Sequence, residues 1–216
     1  MTKIILTSDD FGLSQIYNEK MIEMLQLGYL TSISVMVKRI SEKQISQVQT
    51  LIDIYKNKKI SIGLHLELSE LDYLNNIDEQ WLLFETIFGF YPNYLDLHKD
   101  DRFKGDFNEI AKICNSKKLP FRKYSSTNIF VNAPTNSIIA TYININEIKN
   151  LIDNFEKNKI HELIFHIGNY DSCVKSKLNK EREIDCEKLI QTHEYLKIKG
   201  YGLTNYSQIQ IQQVNN

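Results

Sequence analysis

Strand-like and helix-like segments alternate along nearly the whole chain, and this alternation limits the possible folds more than any other feature. Short apolar runs such as KIILTS at 3–8 and ELIFHI at 162–167 predict buried strands. Longer segments with an apolar stripe at helical spacing lie between them, for example 16–27, which ends before Gly28. This order favours a mostly parallel sheet covered by helices.

The spacing of the predicted strands favours a barrel. A (β/α)8 barrel of about 250 residues uses about 31 residues for each unit, so the 216 residues of this chain hold about seven units. We therefore predict one domain, residues 1–216, folded as a distorted, seven-stranded (β/α) TIM-like barrel. An open doubly wound sheet is the alternative, but no GxGxxG follows the first strand. The segment 128–142 fits either an irregular excursion or a short extra strand.

Composition and charge exclude several classes of partner. The formal net charge is −1, from 26 basic and 27 acidic residues, which argues against a nucleic-acid-binding surface. No run of about 18 apolar residues predicts a transmembrane helix, and the first residues lack the pattern of a signal peptide. The three cysteines form no CxxC motif and are predicted to be free thiols. We therefore expect a cytoplasmic protein without a membrane or nucleic-acid partner.

Polar side chains that could bind a metal or transfer a proton lie at one end of the predicted strands. Asp9 and Asp10 follow the first strand, and His65, His98 and His166 follow or end three others. The carboxyl ends of barrel strands converge on one mouth, where catalytic residues collect. Each residue alone is commonly a helix cap or a packing residue, but their shared position predicts a site.

The residue types indicate a cation site with an acid–base partner. One aspartate with two histidines supplies oxygen and nitrogen ligands, and three protein ligands leave positions for water and substrate. One aspartate would bind the cation while the other accepts a proton from water. A helix cap with a solvated loop residue is the competing interpretation of the pair. The remaining histidines, His161 and His193, lie away from this end and are predicted to be structural.

Several segments resemble the YdjC-like carbohydrate deacetylases, which include the chitooligosaccharide deacetylases. They cover most of the chain in the same order, and the combination of SDDFG, GLHL, DLH and FHIG is specific. The segments are TSDDFGLS (7–14), LTSISVMV (30–37), GLHLEL (63–68), FGFYPNYLDLH (88–98), LPFR (119–122), ELIFHIGNYD (162–171) and LTNYSQI (203–209).

The resemblance implies a distorted (β/α) barrel that hydrolyses an N-acetyl group from an amino sugar or its oligomer. It places one divalent cation on Asp10, His65 and His98. It makes Asp9 the general base and His166 the acid that protonates the leaving amine. The donor set suits zinc or another transition metal, whereas the resemblance also allows magnesium. It also suggests a homodimer.

Arg122 has two open interpretations. As the end of the LPFR segment it would contact the substrate or orient Asp9, and a salt bridge at the barrel mouth is the bland alternative.

The sequence departs from the family pattern at two places. After His98 the chain reads Lys-Asp-Asp-Arg instead of a histidine-rich run, so a missing later ligand would have to be replaced by Asp100. Ile167 occupies the place of the proline in the family's His-Pro-Gly, which is expected to loosen that turn.

Two other functions stay open from the sequence. The first is a metal-dependent ester or phosphoester hydrolase, although no Gly-rich phosphate loop or basic cluster accompanies the site motifs. The second is a catalytically degenerate member that binds a glycan or a protein partner. Retention of Asp9, Asp10 and His166 together favours the deacetylase, because a binding module needs neither base nor acid.

Overall fold

The computed structural model describes residues 2–57, 60–68, 72–122 and 136–209 of the chain. The elements in chain order are β1 Lys3–Phe11, α1 Gln15–Gln26, β2 Ser32–Val35, α2 Ile45–Asn57, β3 Ser61–Leu66, α3 Tyr73–Phe88, β4 Leu95–Leu97, α4 Phe107–Ser116, β5 Asn136–Ile139, α5 Ile145–Asp153, β6 Ile160–Phe165, α6 Glu181–Lys199 and β7 Gly202–Leu203. Short 3-10 turns, including Ala140–Tyr142, connect several of them.

The strands form one parallel sheet in the order β4-β3-β2-β1-β6-β5. The two-residue strand β7 pairs with Lys3 and Ile4 at the start of β1, before β2 joins β1 at Thr7. Beyond β4 the chain adds a single parallel bridge between Leu95 and Phe121. The predicted α/β class and parallel sheet are confirmed.

The sheet is strongly curled. The Nε of Arg122, at one side of the sheet, lies 3.4 Å from Oε1 of Glu162 on β6. A flat sheet would separate strands that far apart in the order by about 4.8 Å for every step, so the two sides must approach each other. The curl favours the barrel over the open doubly wound sheet. Closure into a seven-stranded barrel stays a prediction, because the described residues show no pairing between the segment at 121 and β5.

Alternation along the strands separates two environments. Outward-facing apolar residues such as Ile33, Leu64 and Leu163 pack in the main core beneath the helices. Residues of the opposite parity point into the curl, where they are buried but largely polar. These inward residues include Thr7, Asp9, Ser32, Ser34, Ser61, His65, Asp96 and Glu162.

Helix boundaries follow local sequence signals in most places. The Ser14 hydroxyl accepts a hydrogen bond from the Ile16 amide and caps α1, as predicted. The predicted strand 119–124 gives only the bridge at Phe121, and its end lies outside the described residues. The segment 128–142, left open by the sequence, contains β5, and residues 128–135 lie outside the described residues.

Other sequence predictions have clear outcomes. Cys114, Cys173 and Cys186 are free thiols, as expected. His161 is buried and stacks on Phe155 with ring centroids 4.1 Å apart, in keeping with a structural role. In the described ranges, no helix has both the length and the apolar character needed to cross a bilayer.

Candidate metal and acid–base site

An irregularity in β1 brings two adjacent aspartates to the same site. Neighbouring residues in a regular strand point to opposite faces. The register of β1 with β2 shifts between Ser8 and Phe11, and Asp10 adopts a left-handed backbone with φ of 71°. Aspartate tolerates this conformation better than most residues. The shift allows both carboxylates, Asp9 and Asp10, to reach the cluster at the carboxyl ends of the strands.

Three predicted ligands meet at this mouth. Oδ1 of Asp10 lies 3.4 Å from Nε2 of His65 and 3.4 Å from Nδ1 of His98. The two histidine nitrogens are 3.2 Å apart. The three side chains come from the ends of β1, β3 and β4, so residues 55 and 33 positions apart in sequence converge as predicted.

The geometry of these donor atoms fits a bound cation. Two ligand atoms about 2.1 Å from a tetrahedral zinc ion stand about 3.4 Å apart, close to the spacing seen here. Oδ1 of Asp10 is buried without a hydrogen-bond partner, although such atoms are normally paired. One carboxylate and two imidazoles form a common ligand set for transition metals. The residues present therefore fit the cation that the sequence predicted.

Asp96 orients His65 within the cluster. Its Oδ2 lies 2.6 Å from Nδ1 of His65, which leaves Nε2 directed toward Asp10. The Ser34 hydroxyl donates to the other oxygen of Asp96. A second hydrogen bond of this kind fixes the ring orientation and the tautomer of metal-binding histidines.

Charges in the cluster shift several pKa values. Burial alone raises the pKa of Asp10, but contacts with His65, His98 and Arg182 hold it well below its usual range. Burial lowers the pKa of His65, yet the carboxylates of Asp96 and Asp9 outweigh it and raise this pKa well above its usual value. His65 must lose this proton to ligate a cation, so protons and metal compete for the site.

The Arg122 guanidinium is buried next to three carboxylates, those of Asp9, Asp96 and Glu162. Its guanidinium donates to both oxygens of Asp9 at 2.7–2.9 Å and approaches Oδ2 of Asp96 at 2.9 Å. Its Nε faces Glu162. Burial raises the pKa of Asp9, and the charge of Arg122 opposes that rise. Arg122 is 2% exposed, so this geometry supports the interpretation in which it orients Asp9, while a substrate contact stays a prediction.

A second buried arginine pairs with the other aspartate. Arg182, in the first turn of α6, donates from Nη2 to Oδ2 of Asp10 at 2.5 Å. Its guanidinium lies over the Tyr17 ring at 4.1 Å from the centroid. Gly168 makes this packing possible, because a Cβ there would lie 2.6 Å from the Tyr17 ring and 3.2 Å from Cδ of Arg182. Each aspartate of the pair therefore has its own arginine.

His166 follows β6 at the same mouth and is half-buried. Its Nδ1 lies 2.9 Å from the Thr141 hydroxyl, and its backbone N–H donates to Asp185 at 2.9 Å. Burial lowers the pKa of His166 below its ordinary value, and the negative charges of Asp10 and Asp9 offset only part of this effect. Because these charges act on the ring, the structure brings His166 into the electrostatic field of the two aspartates.

The two departures from the family pattern have separate outcomes. Asp100 lies in a 3-10 turn after His98, and burial raises its pKa to about 6. The candidate ligand groups found among the described residues do not include it. Ile167 is buried and its N–H donates to the Ser8 hydroxyl at 3.3 Å. This bond ties the turn in a way that proline, which lacks the donor, could not.

Sequence reasoning missed the partners that hold the predicted residues. Asp96 carried a readable signal, since it lies two residues before His98 and therefore shares its strand face. Arg182, Thr141 and Asp185 carried none, because helix α6 and the turn after β5 meet the site only in three dimensions.

Comparison with known proteins finds one family model that matches part of the chain. The sequence model of the family described as YdjC-like protein matches residues 3–77, which include Asp9, Asp10 and His65. No curated protein matches the chain.

Three solved structures share the fold. A candidate cellobiose-phosphate cleavage protein from Enterococcus faecalis V583 gives a TM-score of 0.79 at 18% identity, over 95% of this chain and 97% of the other. A polysaccharide deacetylase from Bacillus cereus gives 0.60 at 13% identity, over 95% and 92%. A family 4 acetyl xylan esterase from Clostridium thermocellum, in complex with a cobalt ion, gives 0.57 at 15% identity, over 94% and 88%. At these identities the likeness establishes a common fold.

Fold and site together define a class of α/β proteins with a carboxylate–imidazole cluster at the mouth of a curled parallel sheet. Within this class the chain resembles the YdjC-like family: the family model matches residues 3–77, and this match confirms the resemblance seen in the sequence motifs.

Proposed function

We propose that this protein is a metal-dependent carbohydrate deacetylase, a hydrolase that removes an N-acetyl group from an amino sugar or an N-acetylated oligosaccharide. The observation that carries the proposal is the convergence of Asp10, His65 and His98 within 3.4 Å of one another beside Asp9. The YdjC-like match supports the carbohydrate assignment, as do neighbours described as a polysaccharide deacetylase and an acetyl xylan esterase.

We assign the cation, zinc or magnesium, to Asp10, His65 and His98. When bound, such an ion supplies Lewis acidity toward the acetyl carbonyl and lowers the pKa of a water molecule. Asp96 and Arg182 hold the ligands His65 and Asp10 in place through direct contacts. The ligands therefore need little rearrangement on binding.

Asp9 serves as the general base. Its pKa is raised by burial, which moves it toward the working pH that favours proton acceptance. Arg122 donates hydrogen bonds to both oxygens of Asp9, but a carboxylate can accept about four hydrogen bonds. Arg122 therefore fixes the orientation of Asp9 and leaves capacity for a proton from water.

His166 serves as the general acid on the leaving nitrogen. Amine expulsion from a tetrahedral intermediate is slow without protonation, and a positioned imidazolium supplies that proton. Burial lowers the pKa of His166, which makes its imidazolium a stronger proton donor, and the charges of Asp10 and Asp9 offset only part of this effect. An acid beside the metal ligands and a base on the neighbouring aspartate complete the requirements for amide hydrolysis.

The alternative of a phosphoester hydrolase has less support. Both arginines of the site, Arg122 and Arg182, contact carboxylates, so their charges are already balanced before any phosphate arrives. A degenerate, glycan-binding protein stays the other alternative. We also retain cytoplasmic location, a single domain and a homodimer as predictions.

Two measurements test the proposed function. Metal analysis of the purified protein should find close to one divalent ion for each chain. Acetate release from N-acetylglucosamine oligomers should depend on that ion and stop with a chelator. Phosphate release from sugar phosphates without acetate release would support the phosphoesterase instead, and absence of both activities with metal bound would support the binding protein.

The base assignment has its own variant. Asp9→Asn keeps the size of the side chain and leaves the three ligands in place, so it should retain metal and lose turnover by a factor of about 10² or more. Asp53→Asn, on the exposed face of α2, is the matched control and should behave as wild type. Normal turnover in Asp9→Asn would show that Asp9 is not the base.

A further inference from the structure

A hydroxyl on the turn after β5 links His166 to a buried carboxylate. The Thr141 side chain contacts Nδ1 of His166 at 2.9 Å and also Oδ2 of Asp185. Asp185 is fully buried on the first half of α6 and accepts the backbone N–H of His166 at 2.9 Å with the same oxygen. Groups from the turn after β5, from the end of β6 and from α6 therefore meet around one edge of the imidazole ring.

From this chain of contacts we infer that Thr141 and Asp185 are positioning residues that hold His166 as the Nδ1–H tautomer, with Nε2 as its reactive nitrogen. The inference deepens the proposed function and rests on it where it concerns catalysis. Its structural part, the tautomer, does not depend on any activity.

The donors and acceptors available in the hydrogen-bonded series Asp185–Thr141–His166, called the relay below, determine which group donates to which. The carboxylate of Asp185 faces Nζ of Lys188 at 2.7 Å and, when ionised, can only accept hydrogen bonds. The single hydroxyl proton of Thr141 must therefore be donated to Asp185. The Thr141 oxygen is then left as an acceptor toward His166, so Nδ1 of the ring carries the hydrogen.

Lys188 fixes the turn that presents the hydroxyl. Its ammonium donates to the carbonyl oxygens of Ala140, Thr141 and Ile143 at 2.8, 3.0 and 3.2 Å. The same ammonium pairs with Asp185 one helical turn earlier. This buried cation therefore holds both members of the relay, the Thr141 backbone and the Asp185 carboxylate, in one arrangement.

The relay determines which nitrogen exchanges a proton during the reaction. Nδ1 keeps its hydrogen throughout, bonded to Thr141. The additional proton sits on Nε2 of the imidazolium and passes to the departing nitrogen, which takes the electron pair of the broken C–N bond. His166 returns to the neutral Nδ1–H form, and the next proton enters at Nε2.

Ring-nitrogen NMR tests the tautomer directly. Multiple-bond ¹H–¹⁵N correlations on labelled, metal-free protein, at a pH where the ring is neutral, report which nitrogen carries hydrogen; His166→Gln identifies the signals. Wild type should show Nδ1–H. Thr141→Val removes the acceptor and should shift the population toward Nε2–H, and Thr141→Ser should restore the wild-type pattern.

Thr192→Val provides the matched control. Thr192 is a buried threonine on the same helix, α6, and its hydroxyl has no hydrogen-bond partner, so this variant should leave the His166 signals unchanged. An Nε2–H ring in wild type, or the same tautomer in wild type and Thr141→Val, would overturn the inference.

Kinetics test the catalytic consequence. Thr141→Val should lower kcat on an N-acetyl substrate about ten-fold with little change in KM, because only the acid step is impaired. Hydrolysis of an activated O-acetyl ester, whose leaving group needs no proton, should be unaffected. An equal loss on both substrates would contradict a role through the acid. If wild type releases no acetate, the proposed function fails, whereas the NMR result stands independently.

Discussion

Asp9 and Asp10 are adjacent in sequence yet have different partners, and this division explains how two buried carboxylates coexist. Arg122 contacts Asp9, and Arg182 contacts Asp10. The sequence predicts a cation bound by one aspartate of the pair, with the other as a proton acceptor. The structure adds two arginines, one in contact with each aspartate, so the negative charges of the pair are offset before a metal binds.

Removal of Arg182 should destabilise the fold. Arg182→Met leaves the buried Asp10 carboxylate without its arginine, and breaking one side of a buried pair costs about 3–5 kcal/mol. Urea unfolding of the metal-free protein measures this loss in the free energy of unfolding. Arg39→Met is the control, because the Arg39 side chain is 54% exposed in its pair with Glu67 and such pairs contribute about 0–1 kcal/mol. Equal losses in both variants would contradict the argument.

Asp100 should make stability depend on pH. Burial raises its pKa to about 6, from 3.8. A raised carboxyl pKa contributes stability that is complete below the unfolded pKa and is lost as pH rises through the folded pKa. Above that pH the ionised, partly buried Asp100 is unfavourable.

Asp100→Asn should therefore be more stable than wild type above pH 6 by about 1–2 kcal/mol, and this advantage should fade as pH falls toward 4. Unfolding midpoints in urea with a chelator present, measured on both sides of the folded pKa, provide the check. A difference between the two proteins that does not change with pH would refute the assignment.

At the scale of elements, a glycine in β3 makes room for the stacked rings of Tyr94 and Tyr206 inside the curled sheet. A Cβ on Gly63 of β3 would lie 2.2–2.5 Å from the Tyr94 ring. Tyr94 cannot easily move, because it stacks on Tyr206 at 3.8 Å and its hydroxyl contacts Ser32. Gly63 begins the GLHL motif, and its role there is to admit this ring.

Gly63→Ala should thus destabilise the protein by about 3 kcal/mol, at the upper end for overpacked cores. The comparison is Gly200→Ala, at the end of α6. Its backbone φ is 72°, but nothing lies within 4 Å of an added Cβ, so we expect about 1 kcal/mol from backbone strain alone. Thermal or urea unfolding ranks the two. A smaller loss in Gly63→Ala than in Gly200→Ala would show that the Tyr94 ring yields.

The irregularity in β1 is the other decisive local feature. Without the register shift between Ser8 and Phe11, one aspartate would face the outer core. The left-handed Asp10 directs its carboxylate back toward His65 and Arg182. Because of this irregularity in β1, the side chains of both Asp9 and Asp10 face the inside of the curled sheet.

At the scale of the whole molecule, a bound cation would join the ends of β1, β3 and β4. Binding only to the folded state stabilises it by about 2.7 kcal/mol at a free concentration of 100 Kd. Zinc should therefore raise the melting temperature of wild type. His98→Ala removes one candidate ligand whose side chain is only partly buried and should weaken or abolish the shift while leaving the chain folded.

His193→Ala is the control for that measurement. His193 lies on α6 with its ring 5.0 Å from that of Tyr29, away from the cluster, and this variant should keep the shift with zinc. A shift of wild-type size in His98→Ala would remove His98 from the ligand set.

The sequence by itself determined the α/β class, the parallel direction of the strands and the five residues of the mouth. Hydrophobic periodicity is a local property, and parallel strands end on one side of the sheet, so chain order predicts that Asp9, Asp10, His65, His98 and His166 lie at the same end of the strands. This inference needed neither contacts nor distances.

Only the tertiary structure decided how each of these residues is held. Arg122 meets Asp9 across 113 positions, and Arg182 meets Asp10 across 172. Such pairings leave no local pattern, because they depend on the curl of the sheet and on the placement of α6 against the mouth. The sequence therefore indicates the candidate site residues, whereas their electrostatic surroundings and orientation arise from neighbours that meet only after folding.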